Sequence, residues 1–256
     1  MFIETHCHLD YLEKKPLDQY IQEAIDNKVE KIITISVEPD NLQKVKELSE
    51  KYPQVYFSQG THPHDAVKFT PEAKKIILDN ATCSKMVAIG EIGLDYYYNH
   101  SPKDIQIKVF KEHLEMAISL GKPVIIHSRE ADQDMMDILT EFAPRMVKKG
   151  VIHSFTSGKE LAQTALDLGF YLGFNGIITF KNAQNVRDIV DICPVNRILL
   201  ETDSPFLTPV PHRGKENNPA YLPFVYEKVC ELKGLDPESS HQIFIENSQE
   251  IFQLHT

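Results

Sequence analysis

Residues 86–128 read MVAIGEIGLDYYYNHSPKDIQIKVFKEHLEMAISLGKPVIIHS. The stretch opens on a short apolar run, 86–90, passes a polar loop, and continues over 104–120 with apolar residues at helical spacing. A second Val and Ile run, 123–126, follows at once. Two short strands joined by a helix of this length predict parallel pairing, because a tight hairpin joins only antiparallel neighbours.

Working outward, the same alternation recurs along the chain. Apolar runs at 2–5, 31–36, 55–59, 150–152, 170–173 and 197–200 bring the candidate strands to eight. Segments such as 17–27, 40–51, 131–142, 159–168 and 183–192 read as amphipathic helices between them, and 221–234 and 237–254 as further helices packed outside. Eight alternations predict an α/β fold, a TIM-type (β/α)8 barrel closed on itself, since open doubly wound sheets usually have fewer strands. No Gly, Ser or Pro-rich linker, low-complexity segment or fixed-period repeat divides the chain, so residues 1–256 read as one domain.

The whole chain narrows the function classes. Its net charge is -10 with neutral histidines, so a broad nucleic-acid-binding surface is excluded and any phosphate contact must be local. Bound divalent cations would supply positive charge at one point. No long apolar stretch predicts a membrane span, and MFIETHCHLD lacks the basic and apolar regions of a signal peptide, so the expected compartment is the cytoplasm. Cys7, Cys83, Cys193 and Cys230 are scattered without a CxxC pair and read as reduced thiols. No obligate protein partner is evident.

The chemistry lies where the apolar runs end. They close on ETHCH at His6 and His8, GTHPH at His62 and His64, AIGEIG at Glu91, VIIHS at His127, VIHSF at His153 and LLETD at Asp203. In a parallel barrel the C-terminal strand ends converge on one face, where active sites form. His6 and His8, one residue apart in an extended chain, point to the same side and can grip one ion, with Cys7 pointing away. So many ionisable groups are costly to bury together unless cations compensate them. Imidazoles and carboxylates suit zinc, manganese or related metals, and six donors exceed the four of one tetrahedral zinc, so two divalent ions (Zn, Mn or Mg) are expected, with Glu91 placed to bridge them. A pair about 3.5 to 4 Å apart can clamp a water and stabilise a displaced oxygen, which points to hydrolysis.

At these residues the sequence closely resembles the TatD family of metal-dependent hydrolases, within the amidohydrolase-like barrels. The resemblance runs from end to end, carried by HCHLD (6–10), GTHPH (60–64), AIGEIGLDYY (88–97), PVIIHSRE (123–130), VIHSFTSG (151–158), YLGFNGIITFK (171–181), ETDSPFLTP (201–209) and RGKENNPAYL (213–222). It implies that His6, His8, Glu91 and Asp203 surround one metal and that Glu91, His127 and His153 serve the other. It also implies phosphodiester hydrolysis, often as a DNase or 3′ to 5′ exonuclease on single-stranded ends. SRE at 128–130 and KENNPAY at 215–221 depart from the common SRD and KENEPAY, which bears on substrate preference rather than on the ligands.

Asp203 is the expected general base, since a carboxylate at the eighth strand end can contact metal and accept a proton from water. His62, His64, Arg129 and Arg213 are expected to hold phosphate oxygens, Arg through its bidentate fork. Asp95 with Tyr96, Tyr97 and Tyr98 can orient a metal ligand or stack a base, and Gly90, Gly93, Gly173 and Gly176 can let the backbone turn beside the pocket. The expected function is a divalent-metal-dependent phosphodiesterase on nucleic acid ends. The alternatives are an esterase, lactonase or aminoacyl-ester hydrolase on the same barrel, and a metal-binding protein without catalysis.

Overall fold

The computed structural model describes residues 1–254. Its strands are β1 (Phe2–Cys7), β2 (Val29–Ile35), β3 (Val55–Gln59), β4 (Met86–Asp95), β5 (Val124–Arg129), β6 (Gly150–Ile152), β7 (Tyr171–Phe174) and β8 (Ile198–Leu200). They pair in chain order and every neighbouring pair is parallel. Between them run α1 (Leu17–Asp26), α2 (Leu42–Lys51), α3 (Pro71–Asn80), α4 (Lys103–Leu120), α5 (Asp132–Phe142), α6 (Lys159–Asp167) and α7 (Gln184–Ile192). After β8 come α8 (Leu222–Lys233) and α9 (His241–Phe252).

The first and last strands meet. Thr5 Oγ1 donates to the Leu200 carbonyl at 2.8 Å, the Asp203 N–H to the His6 carbonyl at 2.9 Å, and the His8 N–H to the Ser204 carbonyl at 2.8 Å. The architecture is the expected (β/α)8 barrel.

Period-two alternation sorts the strand residues. Val124 and Ile126 of β5, Ile152 of β6, and Ile198 and Leu200 of β8 join the layer packed under the helices. Ile125, Val151 and Leu199 turn inward, where they meet Ile3, Ile33, Ile35, Val87 and Tyr171. Ile245, Ile251 and Phe252 of α9, with Leu254 beyond it, pack on the same group and shut the N-terminal mouth of the barrel. Each such fully buried side chain stabilises the fold by about 1.5–3 kcal/mol.

Three strands run further than their apolar patterns: β1 to Cys7, β4 to Asp95 and β5 to Arg129. Pairing continues there, with Gly93 opposite His127 and Asp95 opposite Arg129, while the side chains change from apolar to polar. Glu91 therefore lies inside β4, not at its end. Helix α3 is absent from the sequence reading, because Ile76, Ile77 and Leu78 look like a strand run. Only Ile77 is fully buried, and the helix is set by Pro71 in its first turn and by Thr70, whose side chain accepts from the Ala73 N–H. The last helix begins at His241 rather than at 237. All four cysteines are free thiols. No described helix is long and apolar enough to cross a membrane.

Candidate metal centre

The step of two that places apolar residues in the barrel floor places ionisable ones above them. Above Ile125 comes His127, above Val151 comes His153, and above Leu199 come Glu201 and Asp203. β1 adds His6, with His8 just beyond it, and β4 adds Glu91. Gly173 of β7 leaves the room this layer needs: a Cβ there would lie 2.4 Å from Glu201 Oε2.

Glu91 is the hub, and its two oxygens face different imidazoles. Oε1 lies 2.8 Å from His153 Nε2, 3.2 Å from His127 Nδ1 and 3.4 Å from His62 Nε2. Oε2 lies 3.4 Å from His6 Nε2 and 4.0 Å from His8 Nε2. On that second side Asp203 Oδ1 is 3.4 Å from His8 Nε2 and 3.7 Å from His6 Nε2. Asp203 holds a left-handed backbone, φ 57°, a conformation costing about 1–3 kcal/mol that the bond from its N–H to His6 helps to maintain.

Hydrogen-bond partners fix which ring nitrogen carries a proton. His8 Nδ1 donates to the Ile35 carbonyl at 3.3 Å, leaving the Nε2 lone pair toward Asp203. Asp95 Oδ2 lies 3.0 Å from His127 Nε2 and 3.0 Å from His64 Nε2, so His127 turns its Nδ1 lone pair to Glu91. Asp95 is itself held by the N–H groups of Tyr97 and Tyr98, each 3.0 Å from Oδ1. His62 is the reverse case. Its Nδ1 accepts the His64 backbone N–H at 3.1 Å, so its Nε2 bears the proton and is a donor in the neutral ring.

The charges follow from burial and partners. Burial pulls His6 down, helped by the neighbouring His153, whose ring stacks on it at 3.8 Å. Burial also holds His62 well below its ordinary value. Burial opposes charge on Glu91 too, but the His153 and His62 imidazoles outweigh it and keep the carboxyl well below the usual range. Asp203 is lowered in the same way, chiefly by the His8 imidazole beside it, and Asp95 by its hydrogen bonds with His127 and His64. His8 and His153 are raised despite burial, by Asp203 and by Glu91 respectively.

A cation fits this donor set. Buried polar atoms without a hydrogen-bond partner are rare in folded proteins, yet His6 Nε2, His153 Nδ1, Glu4 Oε2 and Glu201 Oε2 all lack one. The ligand atoms of His6, His8 and Asp203 lie within 4.8 Å of one another, as do those of His62, Glu91 and His127, although the proton on His62 Nε2 leaves Glu91 and His127 as the donors of that group. Nitrogen and carboxylate oxygen donors suit zinc or manganese.

The structure brings His6, His8, His62, Glu91, His127, His153 and Asp203 into one cluster and ties His64 to it through Asp95. The two arginines stay at the rim. Arg129 lies over the rings of Tyr97 and Tyr98, and Arg213 lies over Phe180 and donates to the Thr208 carbonyl. Among the described residues neither pairs with a carboxylate. Two buried acids escaped the sequence reading. Glu201 Oε1 accepts the Ser154 N–H at 2.6 Å and lies 3.7 Å from His153 Nδ1. Glu4 Oε1 accepts the N–H groups of His6 and Thr202 at 3.0 Å each, and burial pushes its carboxyl up to about 8. The signal for Glu201 was present: it precedes Asp203 by two residues, the same step that joins His6 to His8.

Comparison with known proteins gives the family. The TatD-related DNase family matches residues 3–253. The chain is 39% identical over 256 residues to the uncharacterized metal-dependent hydrolase YabD of Bacillus subtilis (strain 168), covering 100% of both chains. It is 28% identical to the 3'-5' ssDNA/RNA exonuclease TatD of Salmonella typhimurium, covering 94% of each. The crystal structure of YJJV, a TATD homolog from Escherichia coli k12, superposes with a TM-score of 0.91 at 30% identity, over 99% of this chain and 98% of that one. With this fold and this family match, the chain belongs to the TatD family of metal-dependent hydrolases.

Proposed function

We propose that the chain hydrolyses phosphodiester bonds at the ends of single-stranded nucleic acid, with His6, His8, Glu91 and Asp203 surrounding one divalent ion and Glu91, His127 and His153 serving a second. The observation that carries this reading is the division of Glu91, whose Oε1 faces His127 and His153 while Oε2 faces His6 and His8. The lone pairs of His8 Nε2 and His127 Nδ1 support the same assignment, and the proton on His62 Nε2 argues against His62 as a ligand. Bound divalent cations lower the pKa of water and offset charge that builds on phosphate oxygens.

The residues of the chain supply the rest. Asp203, ionised at neutral pH, takes a proton from the attacking water as the water oxygen bonds to phosphorus. The P–O bond to the departing sugar breaks, and that oxygen leaves with the electron pair and takes a proton from solvent. His62 Nε2 donates to a non-bridging phosphate oxygen. The Arg129 guanidinium makes no hydrogen bond among the described residues, so its donors are free for the same task. Arg213 is further out, on the side of β7 and β8. Restriction to chain ends agrees with the net charge of -10, which disfavours long duplexes. The name of the Salmonella relative supports this substrate class.

The test is digestion of a labelled single-stranded oligonucleotide by metal-stripped protein. Cleavage should stop in excess EDTA, return with Mg2+, Mn2+ or Zn2+, and shorten the strand from its 3′ end. Undiminished cleavage in EDTA contradicts the proposal. Hydrolysis of carboxylic esters, lactones or aminoacyl esters without phosphodiester cleavage assigns the same centre to that chemistry instead.

A further inference from the structure

Two aromatic walls flank the centre, and they differ in what they offer. On the side of Asp95, Tyr97 and Tyr98 are about half exposed, but their ring faces are taken. The Arg129 guanidinium lies 3.9 Å from the Tyr97 centroid and 4.8 Å from that of Tyr98, and His100 stacks on Tyr98 at 5.6 Å and 8°. This wall presents cationic donors suited to phosphate.

On the side of Asp203 the wall is Phe206, a residue 51% exposed. Among the described residues its ring neighbours are both steeply tilted to it: His8 at 6.1 Å and 64°, and Tyr11 at 6.5 Å and 82°. Tyr11 in turn stacks on His8 at 5.5 Å. The backbone that carries Phe206 is pinned. Its N–H donates to the Asp203 carbonyl at 2.9 Å, and its own carbonyl accepts from Asn217 Nδ2 at 2.5 Å. Asn217 is fully buried and also donates to the Thr202 carbonyl. The next residue presses on Gly176, where a Cβ would lie 2.0 Å from the Leu207 carbonyl oxygen. A large apolar ring held half in water by a rigid loop, beside the expected base, is built to receive a flat apolar group. Single-stranded nucleic acid offers one in every nucleobase.

We propose that Phe206, backed by Tyr11, stacks on the nucleobase beside the scissile phosphate and so determines specificity for base-bearing strand ends, while Arg129 on the opposite wall faces phosphate. The inference rests on the phosphodiesterase reading above. It predicts selection by the base as a flat surface rather than by its hydrogen-bonding edge, hence tolerance of all four bases at the terminus.

The test compares two single-stranded oligonucleotides of equal charge, one with ordinary terminal nucleotides and one with abasic terminal residues, using Mn2+-loaded protein. Wild type should prefer the base-bearing strand in kcat/KM by roughly tenfold, within the range of one base–aromatic stack. In Phe206→Ala that ratio should fall toward one, and Phe206→Trp should restore it. Melting temperatures of the variants should match the parent, since the ring is half exposed. Equal loss on both strands, or an unchanged ratio in Phe206→Ala, overturns the stacking role alone. Failure of wild type to cleave either strand overturns the phosphodiesterase reading and this inference with it.

Discussion

The floor and the mouth of the barrel are built by the same strands with opposite chemistry. At the floor, Ile3, Ile33, Ile125, Val151 and Leu199 interlock beneath α9 with no polar partner to satisfy. Two residues further along β5 and past β6 and β8, the inward positions are His127, His153 and Glu201, each facing another ionisable group. The floor contributes stability through buried apolar area. The mouth gathers charges whose burial is costly unless they are paired or compensated by cations. The division lets one scaffold hold a demanding cluster rigidly, because the residues that fix each strand are not those that do the chemistry.

The comparison can be broken by exchanging effects between the two layers. Ile125→Ala, directly below His127, should lower stability by about 2–5 kcal/mol and leave kcat per folded molecule unchanged below the unfolding transition; thermal melts paired with kinetics check this. A large loss of kcat with an unchanged melting temperature would mean that the layers are not separable. In the mouth, Asp95→Ala removes the carboxylate that receives the Nε2 atoms of His127 and His64. Metal affinity should drop about 10 to 100-fold, read by calorimetric titration on the folded variant, and the metal-free protein should melt lower because the Tyr97 and Tyr98 N–H groups lose their acceptor.

The smallest effect concerns His113 on α4, remote from the mouth. Its Nδ1 donates to the Val109 carbonyl, its Nε2 is buried without a partner, and burial pushes it from 6.5 down to about 4. The folded chain refuses a proton that the unfolded chain accepts once the pH falls below 6.5, so this contribution is complete above 6.5 and is lost progressively toward 4. Between pH 6.5 and 5.5 the loss is about 1 kcal/mol. His113→Leu should flatten the melting temperature across that interval relative to the parent. An identical slope in both proteins would contradict the assignment.

Most of the barrel was legible because its period is simple. Short apolar runs alternating with amphipathic stretches mark β1 through β8, and the ionisable residues closing six of the runs mark the mouth. The failures have definite causes. Helix α3 was hidden because Ile76 and Leu78 are exposed and blur its apolar stripe. Strand β4 extended beyond its reading because ladder pairing continues where apolar patterning stops. Glu4 was passed over because it lies inside a run read as plain strand and Glu201 because LLETD was read for Asp203 alone, and their roles depend on Thr202 and Ser154, which only the closed barrel brings to them. The division of labour among histidines was not legible at all. His62 and His127 both follow apolar runs, and only their partners, the His64 N–H and the Asp95 carboxylate, show that one is a donor and the other offers a lone pair.

The most direct measurement is calorimetric titration of metal-stripped protein with Mn2+ or Zn2+, run side by side on the parent and on Glu91→Gln, with melting temperature as a second readout. The parent should bind metal and melt higher in proportion to the affinity gained, and Glu91→Gln should lose most of both effects. A parent that takes up no metal, or a variant that binds as tightly as the parent, would contradict the central role of Glu91 as the shared carboxylate of a cation cage.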